Sequence, residues 1–298
     1  MSLKDNIIGL LIIFIWGFNF VVIAWGVKDL PPLLMGAERF LLVAVLGSLF
    51  VKKPSIPWKW MAFYALTLCF GQFAFLFSAI AFGMPAGLAS LVLQSQAVFT
   101  LIFSALFLKE SIKLYQVITI VCAGIGLWLI GVTGVQSDMT GIGFALTIAA
   151  AIAWAAGNIV NRVINQRGYQ ANLGLVVWSS WVAFIPFLIA SYLVEGPETI
   201  VASIINIQLN SMLVILYLAF AASILGYSLW SYLLTHYPAG QVAPLTLGVP
   251  VVGIICASVF LQEVISQQQF LGIFCVMLGL AVNALGNRWH RKLNAKKV

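Results

Sequence analysis

The amino-acid sequence predicts an all-α polytopic membrane protein, with ten transmembrane helices arranged as two inverted five-helix repeats. Three observations carry that prediction. The composition can be solvated only by lipid, ten apolar runs have spanning length, and an internal repeat divides those runs into two sets of five.

Of 298 residues, 62% are hydrophobic and 8% charged. A soluble domain is roughly 45–50% apolar and about 25% charged, so a water-soluble globule of this size would lack the charges to cover its surface. Cytosolic enzymes, nucleic-acid binders and disordered chains are excluded on that ground. The formal net charge is +7. Because the basic residues flank apolar runs, the balance points to lipid headgroups and not to nucleic acid. Cys69, Cys122, Cys256 and Cys275 all lie inside apolar runs without metal-ligand spacing, which predicts buried small hydrophobes, no disulfide framework and no metal site.

A spanning helix takes about 20 apolar residues. Ten runs qualify: 6–27, 33–51, 58–81, 86–108, 114–134, 140–160, 172–194, 211–234, 241–261 and 267–287. The longest connection, 195–210, is too short for a soluble domain. The first run is expected to be a retained span and not a cleaved signal: it has full spanning length, lacks a small-x-small cleavage site, and nine runs follow. The runs are continuously apolar without period-two alternation, which excludes a β-barrel.

With the N-terminus placed in the cytoplasm, Lys4, Lys52, Lys53, Lys59, Lys109, Lys113, Arg162, Arg167, Arg288, Arg291, Lys292, Lys296 and Lys297 fall inside. Only Lys28 and Arg39 fall outside or near an outer span end. Positive residues concentrate on cytoplasmic loops, so both termini are expected in the cytoplasm. Asp29, Asp138, Glu195, Glu198 and Glu263 fall mostly on the other side.

Residues 85–127 align without a gap on 238–280, an offset of 153 that pairs Pro85 with Pro238, Ala86 with Ala239, Gly87 with Gly240, Glu110 with Glu263, Gln116 with Gln269, Cys122 with Cys275 and Gly126 with Gly279. The offset carries spans 4 and 5 onto spans 9 and 10. Each half, 1–136 and 137–298, then has five spans, and an odd number forces the second half to enter from the opposite side. The loop KESIK (109–113) and its counterpart QEVIS (262–266) keep the Glu while the second loses both lysines, as two copies facing opposite ways require. A weaker echo joins WGFNFVV (16–22) to WAAGNIV (154–160). Inverted repeats characterise many alternating-access transporters.

The segments WGFNFVVI, LPPLLMGAERFLLVA, FGQFAFLFSAIAFGMPAGLASLVLQSQAVFT, WAAGNIVNR and QVAPLTLGVPVVG resemble the EamA-type branch of the drug/metabolite transporter superfamily over nearly the whole chain. That resemblance implies a bacterial inner-membrane exporter of amino acids and related small polar metabolites, of the cysteine and O-acetylserine kind, with a binding cavity between the repeats. The chain departs from the family pattern at Glu38, where relatives carry a small or apolar residue before the Arg-Phe pair.

Polar groups inside a bilayer are costly unless paired or wet, which makes them the best pointers to a cavity. Asn19, Gln72, Gln94, Gln96, Asn158, Tyr227, Trp230 and Ser231 are candidates to line one, walled by Trp16, Phe73, Trp154 and Trp178. Interhelical hydrogen bonding is the competing role of the amides. Gln94 and Gln96 are two apart and share no helix face, so one of them is expected to point inward. For Trp58, Trp60 and Trp289 an interfacial position is expected.

Glu38 and Arg39 are the charge pair inside a span. Glu38 and Arg39 are candidate coupling residues, with Glu38 the one expected to titrate, and Arg39 is expected to pair with other helices or to extend toward the outer surface. Pro85, Pro238, Pro244 and Pro250 are candidate helix breaks, since proline removes a backbone donor. The run AAAIAWAAG (149–157) suits close helix contact. His236 and His290 lie at span ends and offer no intramembrane relay.

The expected partners are therefore the bilayer and a neutral small-molecule solute, with protons added if Glu38 titrates; no cofactor is expected. The alternatives are a channel-like facilitator and an intramembrane enzyme. Against the latter, the sequence has no HExxH, GxSxG or Walker A motif.

Overall fold

The structure, a computed structural model, describes residues 1–133, 139–170 and 172–295, and the side chains of all of these but 133, 239–240 and 287–295. Asp138, Lys296 and Lys297 fall outside the described residues, and Arg288, Trp289, His290, Arg291 and Lys292 outside the described side chains.

All regular structure among the described residues is helical, and ten helices are long and apolar enough to cross a membrane. They are α1 (Leu3–Asp29), α2 (Pro32–Phe50), α3 (Trp58–Ala81), α4 (Ala86–Leu108), α5 (Leu114–Thr133), α6 (Gly141–Gln166), α7 (Leu173–Val194), α8 (Leu209–His236), α9 (Ala243–Leu261) and α10 (Gln267–Ala295). The connection between α7 and α8 holds a short helix, Pro197–Ile205. The ten expected spans are all present as helices. The main differences are α6, which runs to Gln166, and α10, which runs to Ala295, because hydropathy marks only the lipid-crossing part of a helix that continues among polar residues.

Four helices are irregular. A π-helical turn interrupts α3 at Ala65–Gly71 and α8 at Tyr217–Leu225. A 3₁₀ turn lies within α4 at Leu93–Ser95 and opens α9 at Ala243–Leu247. These fall at nearly matching places under the offset of 153. The match extends to single residues: Lys109 and Gln262 both end their helices in the left-handed region, at φ 56° and 58°. Gln116 Oε1 accepts from Lys113 N–H, and Gln269 Oε1 from Ser266 N–H.

Helix pairing follows the same scheme. α1 packs on α9 as α6 does on α4; α3 packs on α6 as α1 does on α8; and α2–α7, α4–α9 and α5–α10 each pair with their own counterpart. Small residues allow these approaches. A Cβ on Gly157 of α6 would lie 2.5 Å from Leu68 Cβ on α3, so the small-residue run at 149–157 serves close contact as expected. A Cβ on Gly126 would lie 2.6 Å from the Gly272 carbonyl between α5 and α10. Large apolar side chains such as Val121, Trp128, Phe270 and Phe274 are exposed around the outside, the arrangement of a chain whose solvent is lipid.

Candidate functional site

A cavity of about 430 Å³ lies between the two sets of five helices. Trp16, Asn19, Gln72, Phe73, Gln94, Gln96, Trp154, Asn158, Tyr227, Trp230 and Ser231 all line it, together with Arg39. Trp178 does not: its indole N–H donates to the Val51 carbonyl at 3.0 Å, which turns the ring toward the end of α2. Glu38 does not line it either. It is half-buried on another face of α2, and its Oε2 has no hydrogen-bond partner.

Both Gln94 and Gln96 face the cavity, against the expectation of one. On an α-helix residues two apart point about 160° apart, but a 3₁₀ turn narrows this to about 120°. The 3₁₀ turn at Leu93–Ser95 brings both amides to the same space. Of the proline candidates, Pro85 and Pro238 do not interrupt a helix; Pro85 precedes the first turn of α4 and Pro238 the short helix Ala239–Val242 that leads into α9, where the missing N–H costs nothing. Pro244 lies in the 3₁₀ turn of α9, whose Ala243 and Thr246 line the cavity. The Pro250 carbonyl meets Ser90 Oγ at 3.5 Å.

The aromatic wall is one assembly. The Trp16 ring lies 5.5 Å from both Tyr227 and Trp230. Its indole N–H donates to Ala222 O at 3.0 Å, within the π-turn of α8, where the i→i−4 ladder is disrupted. On the opposite side Asn158 Nδ2 donates to Gln96 Oε1 at 2.7 Å and to Thr100 Oγ1 at 3.1 Å, tying α6 to α4.

Of its two expected roles Arg39 takes the interhelical one and does not reach outward; it is 2% exposed. Its Nε and Nη2 donate to Ser223 Oγ at 3.2 and 3.0 Å, and its guanidinium lies 4.0 Å from the Phe73 ring centroid. Ser223 in turn donates to Leu218 O at 2.8 Å within the π-turn.

Four lining polar residues escape the sequence reading: Tyr64, Asn161, Asn172 and Thr246. Tyr64 stands two helical turns before Gln72, with Leu68 between them on the same face, and Asn161 follows Asn158 by three. The spacing of these residues marks one stripe along each helix in the sequence itself. Asn172 caps α7 through Gly174 N–H at 3.0 Å and lies at a span edge.

The two loop carboxylates of the repeat are engaged differently. Glu263 accepts from Ala86 N–H at 2.6 Å and Gly87 N–H at 2.9 Å, closing the α9–α10 loop onto the start of α4. Burial pushes its carboxyl above the ordinary value, against the two backbone N–H bonds that lower it. Glu110, its partner under the offset, is bound to Arg162 at 2.5 Å instead. Glu195 caps α2 in the manner of Glu263, accepting from Leu33 and Leu34 N–H at 2.7 and 3.0 Å.

The chain is 47% identical over 298 residues to a "Probable amino-acid metabolite efflux pump" of Salmonella typhimurium, and 44% identical to a protein of the same name in Escherichia coli K12, with 98% of both chains covered in each case. An "Uncharacterized inner membrane transporter" of Escherichia coli K12 is 26% identical, over 91% of this chain and 88% of its own. A solved crystal structure, 17% identical, matches 97% of this chain and 99% of its own with a TM-score of 0.63, a likeness that speaks for the fold alone. The family model for EamA-like transporters matches twice, at residues 4–132 and 141–285. Ten apolar helices around a polar cavity and a match over nearly the full length lead to one conclusion: the chain belongs to the EamA-like transporter family.

Proposed function

We propose that the protein exports amino acids and related small polar metabolites, of the cysteine and O-acetylserine kind, across the bacterial inner membrane by alternating access. The reading takes residues 1–136 and 137–298 as inverted repeats with the cavity between them and both termini cytoplasmic. The observation that carries it is the cavity itself, which gathers Asn19, Gln72, Gln94, Gln96 and Asn158 with the aromatic group Trp16, Tyr227 and Trp230. Amides donate and accept, which suits a solute neutral overall. The names of the two relatives at 44% and 47% identity point to the same solute class.

Alternating access is supported by the unequal state of the two halves. In the proposed orientation the Glu263 and Glu195 caps lie on the periplasmic side and hold α4 and α2 shut there. The lining residues nearest helix ends, Asn161, Asn172, Leu234 and Ala243, lie on the cytoplasmic side, where Glu110 is held off by Arg162. This is an inward-open arrangement. In the outward-open one Glu263 releases Ala86 and Gly87, and Glu110 takes the equivalent N–H groups of Ala239 and Gly240. Nearly matched repeats have two such packings close in energy.

Counterflow in proteoliposomes tests the proposal. Purified protein preloaded with an unlabelled neutral amino acid is expected to drive saturable uptake of the labelled one. Uptake without saturation or exchange favours the channel-like reading; no uptake from a panel including cysteine and O-acetylserine rejects the solute class.

A further inference from the structure

We propose that Arg39 is an anion subsite of the cavity and takes the carboxylate of the transported solute. The proposal rests on the reading of the cavity as the place where solute binds. Arg39 lines the cavity and is buried at 2% exposure, yet no carboxylate pairs with it among the described residues. Glu38 is its chain neighbour, and on a helix the two side chains diverge. Ser223 receives two of the guanidinium N–H groups, and Phe73 receives its face. A hydroxyl and a ring orient a cation but leave its charge in place.

Nη1 is buried without a hydrogen-bond partner among the described residues. A buried cation left without a counter-charge is among the costliest arrangements in a membrane protein. The cavity it faces is the route by which a counter-charge can arrive. The guanidinium fork, already held by Ser223, matches a carboxylate in geometry.

The other orphaned atoms of the cavity define the rest of the solute. Asn19 and Gln72 both line it, and their Oδ1 and Oε1 are buried with no donor among the described residues. These are acceptors, suited to an ammonium. One unpartnered donor carrying positive charge and two unpartnered acceptors complement a zwitterion: carboxylate at Arg39, ammonium at Asn19 and Gln72. The class is therefore α-amino acids with a free carboxylate. Their primary amides and decarboxylated amines are disfavoured because each leaves Arg39 without its counter-charge.

The test varies the solute first. In wild-type proteoliposomes exchanging a labelled neutral amino acid, the unlabelled acid is expected to compete about tenfold or more better than its primary amide or its decarboxylated amine. Arg39→Gln is expected to bring acid and amide to equal potency, and Arg39→Lys to keep part of the preference. A purely structural Arg39 would lower transport of every solute without moving the acid-to-amide ratio. Equal competition by acid and amide in the wild type overturns the subsite while leaving export intact. Absence of exchange with every acid and amide overturns the export reading and the subsite with it. The wild-type comparison needs no variant, so it holds even where Arg39→Gln does not fold.

Discussion

Asn158 shows what a single polar residue inside the bundle has to satisfy. Its amide serves Gln96 and Thr100 at once, so it both ties two helices and faces the cavity. Interhelical hydrogen bonds in membranes are worth about 0.6 kcal/mol on average. Asn158→Leu is expected to lower the melting temperature in detergent only slightly while weakening the apparent affinity for solute several-fold; a large melting shift with unchanged affinity would mark a purely structural amide. Glu38 calls for a different measurement. If it exchanges protons during transport, Glu38→Gln flattens the pH dependence of uptake, and an unaltered profile removes Glu38 from coupling. At this scale the sequence was legible wherever a polar side chain interrupts an apolar run, as at Asn19, Gln72 and Gln96. It misplaced Trp178 in the cavity wall and left the direction of Arg39 open, because the cost of a buried polar group says that it must be paired but not with what.

Single helices add the irregular turns. The π-turn in α8 presents Ala222 O to Trp16 and Ser223 Oγ to Arg39, and the 3₁₀ turn in α4 brings Gln94 and Gln96 together. None of these departures has a signature in hydropathy, which is why the two glutamines were expected on different faces. Close contact is readable in composition: Gly157→Val places its Cβ against Leu68, and a cost of about 1–3 kcal/mol is expected, seen as a lower melting temperature and poorer yield in detergent. The cap on α4 is tested by Glu263→Gln. A carboxylate at a helix N-terminus is worth about 0.3–1 kcal/mol, and up to about 2 kcal/mol when partly buried. Its loss is expected to raise periplasmic thiol labelling of a Gln96→Cys reporter several-fold, in a background lacking the four native cysteines. Unchanged labelling would separate Glu263 from the gate.

For the whole molecule, the proposed orientation is checked with reporter fusions: a fluorescent protein at the C-terminus is expected to fold in the cytoplasm, and a periplasm-dependent phosphatase fused there to stay inactive. The reverse result would turn the gate assignments over with it. The number and approximate positions of the spans, and the pairing of residues at an offset of 153, were determined by the sequence alone. Lipid selects apolar residues one by one along the chain, and an internal repeat is read from residue order, so neither depends on how the helices are turned. Convergence of the amides and aromatics on one cavity, the inward position of Arg39 without a counter-ion among the described residues, and the unequal engagement of Glu110 and Glu263 were decided only by the tertiary structure. Each depends on the rotation of one helix against another, and that rotation is set by packing and by the π and 3₁₀ turns that reset a helix's phase midway.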